Sequence, residues 1–352
     1  MTAPARPLVV IAGKINPAGV AQLESEARVV ITPDNEVKTV IELAREAEGI
    51  LFRAGPRCDD VILGACPHVR VVGRHGVGLD TVDLDSATRH GVAVVHAPGS
   101  NSQAVAEHAL MLMLACVKRT VEIDRMTRKG DWSPRHQVVN TELGGKTLGV
   151  VGIGNVGRRV SKFAGALGMR VLAYDKYVPA DEVRRRGAEP VGSLDELLPQ
   201  VDVLTCHTPL TPETHHMIDE KALARMKPGA ILINTSRGPV HSERAVFEAL
   251  VQKRLAAAGL DVFEQEPSPV DNPIFNLDNV VCSGHVAGVT LEANREASLQ
   301  VTAEILRVLR GERPKDLANP DVWPRPLQRR RRQRSPWRSH RRRLSRTSRP
   351  RR

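Results

Sequence analysis

Val150-Val151-Gly152-Ile153-Gly154-Asn155-Val156-Gly157 joins an apolar run to a helical pattern. Each glycine of such a junction has its own task. Gly152 permits a tight turn, Gly154 lets backbone come close to a pyrophosphate, and Gly157 permits close packing of helix on strand. The helix that opens here offers free N–H groups and the positive end of its dipole to phosphate. The next apolar run ends in Val171-Leu172-Ala173-Tyr174-Asp175. An acid at that spacing accepts hydrogen bonds from adenosine ribose hydroxyls and repels a 2′-phosphate. The pattern therefore points to NAD rather than NADP, with Lys176 directly after the acid weakening that exclusion.

The same rhythm extends in both directions. Leu8–Ala12, Arg28–Ile31, Gly49–Phe52 and 69–72 read as buried strands, and 92–96 as a further one. Between them, 18–26 and 37–47 carry apolar residues at helical spacing. A helix with 104–118 as its body, capped by Asn101 or Ser102, precedes a loop over 129–140. Beyond it, 147–152, 169–174, Val203–Cys206, Ala230–Asn234, 257–260 and Val280–Cys282 read as strands, with 156–167 a helix. Leu291–Arg310 reads as one amphipathic helix ended by Gly311 and Pro314. Strands alternating with helices imply an α/β fold whose parallel sheets are covered on both faces.

A chain of 352 residues has room for two ordinary domains. Fourteen arginines and no Asp, Glu or Lys fall in 325–352, so residues 1–324 carry a formal −3 against +11 for the whole chain. The body therefore has no basic footprint for nucleic acid. The arginine-rich end cannot form a core. It reads either as a solvated or frame-shifted tail, or as an anion-binding arm for nucleic acid or membrane. The five cysteines, an odd number with no CxxC pair, argue against a disulfide framework and a structural zinc. No metal is expected. No apolar run approaches the ~18 residues of a membrane span, and no signal peptide opens the chain. A cytoplasmic protein is expected.

Four further stretches stand where strands end. Cys206-His207-Thr208-Pro209 follows one, and strand carboxyl ends are where open α/β sheets bind ligands. His207 and Thr208 are candidate cofactor contacts. The others are Asn234-Thr235-Ser236-Arg237-Gly238, then Gly259-Leu260-Asp261-Val262-Phe263-Glu264-Gln265-Glu266-Pro267, then Ser283-Gly284-His285-Val286-Ala287-Gly288.

With Arg74-His75-Gly76-Val77-Gly78-Leu79-Asp80 and Ala106-Glu107-His108-Ala109 in the same order, the chain strongly resembles the D-isomer-specific 2-hydroxyacid dehydrogenases over residues 7–323. The resemblance implies two Rossmann-like doubly wound domains with a cleft between them. Residues 1–100 with 290–322 would form a discontinuous substrate domain, 101–289 the NAD domain, and 323–352 a disordered tail. It implies a catalytic Arg237, Glu266 and His285. Arg237 would grip the substrate carboxylate with its planar fork. His285 would give or take the carbonyl-oxygen proton, and Glu266 would orient the imidazole and favour its charged form. Gly152, Gly154, Asn155, Val156, Gly157, Asp175, His207, Thr208, Thr235, Ser236, Asp261 and Gly288 make the expected cofactor set. Gly76, Val77, Gly78 and Arg53 are the expected substrate contacts, with Arg74, His75 and Asn101 as further candidates.

One departure is Gly284, where the family commonly has Pro. It loosens the backbone before His285. The substrate expected is a small anionic D-2-hydroxy or 2-keto acid of glyoxylate, hydroxypyruvate, phosphoglycerate or sulfolactate type. A homodimer is expected, with Met111–Leu114 open as core or as interface. The chain lacks the regulatory domain of the longer phosphoglycerate dehydrogenases, so serine feedback is not expected. Two alternatives stay open: an NAD-sensing protein akin to the corepressors that share the fold, and a phosphite-type dehydrogenase.

Overall fold

The computed structural model describes residues 6–53 and 55–325. The arginine-rich stretch lies outside them, apart from Arg325. The chain divides into two compact units, one built from residues up to Ala97 together with those from Ser298 onward, the other from Pro98–Ala297.

The first unit holds a five-stranded sheet. Its strands are β1 (Leu8–Ala12), β2 (Arg28–Ile31), β3 (Gly49–Phe52), β4 (Val71–Arg74) and β5 (Ala93–Val95), in the order β2-β1-β3-β4-β5, and every pairing is parallel. Its helices are α1 (Pro17–Glu24), α2 (Val37–Ala44), α3 (Asp60–Ala65) and α4 (Leu84–Arg89). Side chains alternate across a strand, so β1 serves two cores at once. Val10 and Ala12 pack with Ile50, Phe52, Val72 and α2, while Val9 and Ile11 pack with Leu51, Val71 and Ala93. β2 departs from the buried strand expected. Its residues are exposed at both ends because it forms the sheet edge.

The second unit opens with α5 (Ser102–Val117), α6 (Thr120–Arg128) and α7 (Pro134–Gln137), the last a single turn inside the expected 129–140 loop. Asn101 stands at the start of α5, but its side chain makes no capping bond. Seven parallel strands follow: β6 (Thr147–Val151), β7 (Arg170–Tyr174), β8 (Glu189–Pro190), β9 (Val203–Cys206), β10 (Ala230–Asn234), β11 (Leu255–Leu260) and β12 (Val280–Cys282). They lie in the order β12-β11-β10-β9-β6-β7-β8, so the order reverses between β6 and β9. The helices between them are α8 (Gly157–Ala166), α9 (Ala180–Arg185), α10 (Leu194–Leu197), α11 (Glu220–Arg225) and α12 (Glu243–Val251). α5 lies against β10 and β11 because Gly259 has no side chain. A Cβ there would stand 2.9 Å from both Leu112 and Ile233.

α13 (Leu291–Arg310) returns the chain to the first unit and lays Val301, Ile305 and Leu309 on the core face that Val9 and Ile11 share. Gly73 makes room for it, since a Cβ there would come within 2.6 Å of Ile305. Arg70 fixes its far end. Only 1% exposed, it pairs with Glu48 at 2.8 Å and donates to the carbonyl of Val308 at 2.9 Å. A cation at a helix C-terminus satisfies carbonyls that the helix leaves unpaired.

Candidate active site

Ligands of open parallel sheets bind where the strand order reverses, beyond the strand carboxyl ends. Here that point lies between β6, which runs into Gly152, and β9, which runs into His207. The His207 N–H donates to the Val151 carbonyl at 2.8 Å, so the two strand ends are tied. Gly152 has φ +87°, and a Cβ on it would meet the His207 carbonyl at 2.9 Å. Gly157 is tighter still, with a Cβ only 2.1 Å from the Gly152 oxygen. Gly154 differs: nothing lies within 4 Å of where its Cβ would be, so its backbone faces open space.

Asp175 fastens this turn. Its Oδ2 accepts from Ile153 N at 2.9 Å, and its Oδ1 accepts from Tyr177 N and Val178 N. Each carboxylate oxygen has lone pairs to spare for ribose hydroxyls. Around the same point, His207 Nδ1, Thr208 Oγ1 and Thr235 Oγ1 are buried without a hydrogen-bond partner in the chain. A buried unsatisfied group costs roughly 1–3 kcal/mol. Three of them beside an open glycine backbone fit a polar ligand of dinucleotide shape. Burial pushes the His207 pKa down to about 3, which keeps its imidazole neutral.

Arg237, Glu266 and His285 come together in this unit from the ends of β10, β11 and β12. His285 Nδ1 and Glu266 Oε2 are 2.6 Å apart, and Glu266 Oε1 accepts from Phe263 N at 3.0 Å. The bond to Glu266 raises the pKa of the half-exposed His285, against burial and the nearby Arg237 charge, which both lower it. For Glu266, burial pushes the carboxyl up, but the bonds from His285 and Phe263 N and the charge of Arg237 together bring it below the usual range. Arg237 follows Ser236, whose carbonyl its guanidinium meets at 2.7 Å. The close passage of Gly238 against Phe263 fixes where Arg237 leaves the chain, since a Cβ there would overlap the Phe263 carbonyl at 1.8 Å.

Asp261 is 1% exposed, and three donors of the His285 loop occupy its carboxylate. Oδ1 takes Ser283 Oγ at 2.7 Å and Val286 N at 2.9 Å, and Oδ2 takes Ala287 N at 2.9 Å. Ser283 also meets His108 of α5 at 2.8 Å. Gly288 lies against Asn101, with 2.5 Å between a Cβ built there and the amide nitrogen. Asn155 stands beside Gly99, and Val156 precedes the first turn of α8.

Three supporting residues, Asn234, His108 and Ser283, lie within quoted motifs, but the motifs assign them no role. Asn234 is fully buried. Its Oδ1 accepts from Ser236 N and Oγ, and its Nδ2 donates to the Arg237 carbonyl. A polar residue closing the apolar run Ala-Ile-Leu-Ile-Asn is the signal that marks it.

The remaining candidates lie in the first unit. Arg53 follows β3 and donates to the Lys14 carbonyl at 2.5 Å. The carbonyls of Gly76 and Val77 are held by Ala97 N and His96, and Gly78 follows them in the same loop. Arg74 braces that loop from behind, donating to the Arg53 carbonyl at 2.6 Å and to Thr81 at 3.2 Å. His75 is buried against Ser298 at 2.8 Å and adds no exposed positive charge.

The family model for the NAD-binding domain of D-isomer specific 2-hydroxyacid dehydrogenases matches residues 110–287, which marks this unit as NAD-binding. The chain is 36% identical over 323 residues to a glyoxylate reductase of Korarchaeum cryptofilum, covering 90% of this chain and 97% of that protein. It is 41% identical over 315 residues to a D-3-phosphoglycerate dehydrogenase of Mycobacterium tuberculosis, covering 89% of this chain and 59% of that one. A Methanocaldococcus jannaschii enzyme of the same name is 38% identical, with 84% of this chain and 56% of the relative covered. The chain thus spans somewhat over half the length of these phosphoglycerate dehydrogenases. Among solved structures, D-lactate dehydrogenase from Aquifex aeolicus, complexed with NAD and lactic acid, shares 30% identity at a TM-score of 0.76, covering 87% of this chain and 96% of that one.

Proposed function

We propose, since this chain belongs to the D-isomer-specific 2-hydroxyacid dehydrogenase family, that it interconverts a small D-2-hydroxy acid and its 2-keto acid with NAD(H). The observation that carries the reading is the 2.6 Å pair of His285 and Glu266, with the charge of Arg237 felt by both. Bound cofactor supplies or accepts the hydride; every other requirement falls to the chain. Arg237 offers a planar fork to the carboxylate beside the carbonyl. Glu266 holds a proton on His285 Nδ1, which leaves Nε2 to give a proton to the nascent alkoxide or take one from the alcohol.

Gly152, Gly154, Gly157, Asp175, His207, Thr208 and Thr235 would hold the dinucleotide, within an NAD domain of residues 101–289. Residues 1–100 with 290–322 would bind the acid through Arg53 and the 76–78 loop. The names of the relatives favour glyoxylate, phosphoglycerate or lactate-type substrates. A homodimer through the outer face of α5 accounts for Met111 and Leu114, which are 44% and 36% exposed. The free thiols suit a reducing cytoplasmic setting. Among the described residues, no helix is long and apolar enough to cross a membrane.

The test is NADH oxidation by purified protein with glyoxylate, hydroxypyruvate, pyruvate, phosphohydroxypyruvate and sulfopyruvate, alongside Arg237→Ala. Turnover of one acid, abolished in the variant, supports the reading. NADH binding without turnover of any of them would turn the assignment towards a sensor.

A further inference from the structure

The acid just after β7, Asp175, is followed at once by a cation, and that cation is already claimed. Lys176 Nζ lies 2.6 Å from Glu213 Oε1, and the Tyr177 hydroxyl donates to Glu213 Oε2 at 3.0 Å. Glu213 comes from the segment after β9, 36 residues on from Tyr177. Its turn is stiff: Thr214 Oγ1 donates to the Pro209 carbonyl at 2.7 Å and accepts from Thr211 N at 2.8 Å. The other side is equally fixed, because Asp175 Oδ1 accepts from Tyr177 N. One carboxylate thus gathers the two side chains that follow the ribose-binding acid.

A 2′-phosphate on the adenosine ribose needs a cation where NAD needs only an acceptor. A lysine directly after Asp175 is the nearest candidate. We propose that Glu213 sets the choice of dinucleotide, holding Lys176 in an ion pair so that it cannot receive a 2′-phosphate and adding a second negative charge beside Asp175. The bond to Glu213 raises the Lys176 pKa, and the bonds from Lys176 and Tyr177 lower that of Glu213, so both are charged across the neutral range. About half of each side chain is exposed, at 55% and 54%, so salt screens the pair and the effect is largest at low ionic strength.

This inference rests on the NAD binding that the proposed function uses, but its test reads binding, not turnover. Full-length protein is titrated with NADH and with NADPH, following nucleotide fluorescence, at low and physiological salt. The quantity compared is Kd(NADPH)/Kd(NADH) for wild type, Glu213→Gln and Glu213→Gln/Lys176→Ala. Wild type should favour NADH. Glu213→Gln should lower the ratio by about threefold to tenfold, in line with releasing an exposed ion pair and removing a like charge. The double variant should return towards wild type, because the gain needs Lys176. A ratio unchanged in Glu213→Gln, or a gain that survives loss of Lys176, overturns the proposal. A wild type that binds NADH yet reduces no acid would refute the proposed reaction and leave this ratio readable.

Discussion

His285 adopts a left-handed backbone at φ +57° while its N–H donates to the carbonyl of Asp261 at 2.7 Å. Few residues other than glycine sit there without support. The support is Asp261, whose carboxylate also takes three donors from the loop that carries the histidine. Asp261→Asn sets an amide N–H₂ against those donors. It should cost about 1–3 kcal/mol in urea unfolding and lower kcat. Ser283→Ala loses only the hydroxyl link to Asp261 and His108, and should cost less. The reverse order would contradict this account of the loop.

On the proposed mechanism, with His285 as proton donor, Glu266 sets the pH range of the reaction. A raised His285 pKa keeps the proton donor loaded to higher pH, so keto-acid reduction should fall as pH rises through that value. Glu266→Gln should move this limb to lower pH, read from kcat/KM profiles. His285, raised in the fold, contributes fully below its ordinary value of about 6.5 and loses that contribution as pH rises through the folded value. Glu266, lowered in the fold, contributes above its ordinary value of about 4.3 and loses that as pH falls through the folded one. Melting curves between those two values should therefore show the pair at full strength.

Arg237 tests the fork against the charge. Arg237→Ala should reduce kcat/KM by roughly 10²–10³-fold, the scale for losing a transition-state donor. Arg237→Lys keeps the charge without the planar pair of donors and should fall between. Equal activity of Lys and Arg would show that the charge alone matters.

The glycine turn separates binding from folding. Gly154→Ala places a methyl in open space, so its melting temperature should match wild type while NADH binding weakens sharply in a titration. Gly157→Ala puts a methyl 2.1 Å from the Gly152 oxygen and should impair folding itself. Unaltered NADH affinity in Gly154→Ala would remove the pyrophosphate from that position.

Arg70 offers a test far from the chemistry. Arg70→Ala strands Glu48 and removes one donor each from the carbonyls of Val308 and Leu309, and should destabilise the protein by about 3 kcal/mol in denaturant unfolding. Arg70→Met restores the volume without the bonds and should recover only part of that loss.

Much of the architecture is legible as short continuous apolar runs. β1, β3, β9 and β10 coincide with theirs because each lies inside a sheet, where both faces demand apolar side chains, and β12 coincides too although it is the edge of its sheet. β4 begins two residues later than its run, although the Arg70 backbone still bonds to Glu48 and Ala93 at 2.9 Å while its side chain reaches α13. β8 has two residues and no run to recognise. Motif order could nominate Arg237, Glu266 and His285. What holds them could not be read that way, because Ser283 meets a partner 175 residues earlier in the chain, and Asn234 looks like the last residue of an ordinary strand.

The return of α13 to the first sheet has a consequence for biosynthesis. β5 ends at Val95, and the ribosome must add about two hundred residues before Val301 appears, roughly ten to forty seconds at ordinary elongation rates. Through that interval Val9, Ile11, Leu51 and Val71 belong to a sheet face that α1 covers only in part, without Val301, Ile305 and Leu309. The second unit, continuous in sequence, is able to fold first. The nascent N-terminal third is therefore the natural client for a chaperone, and conditions that stall translation between Val95 and Val301 should turn this protein towards aggregation.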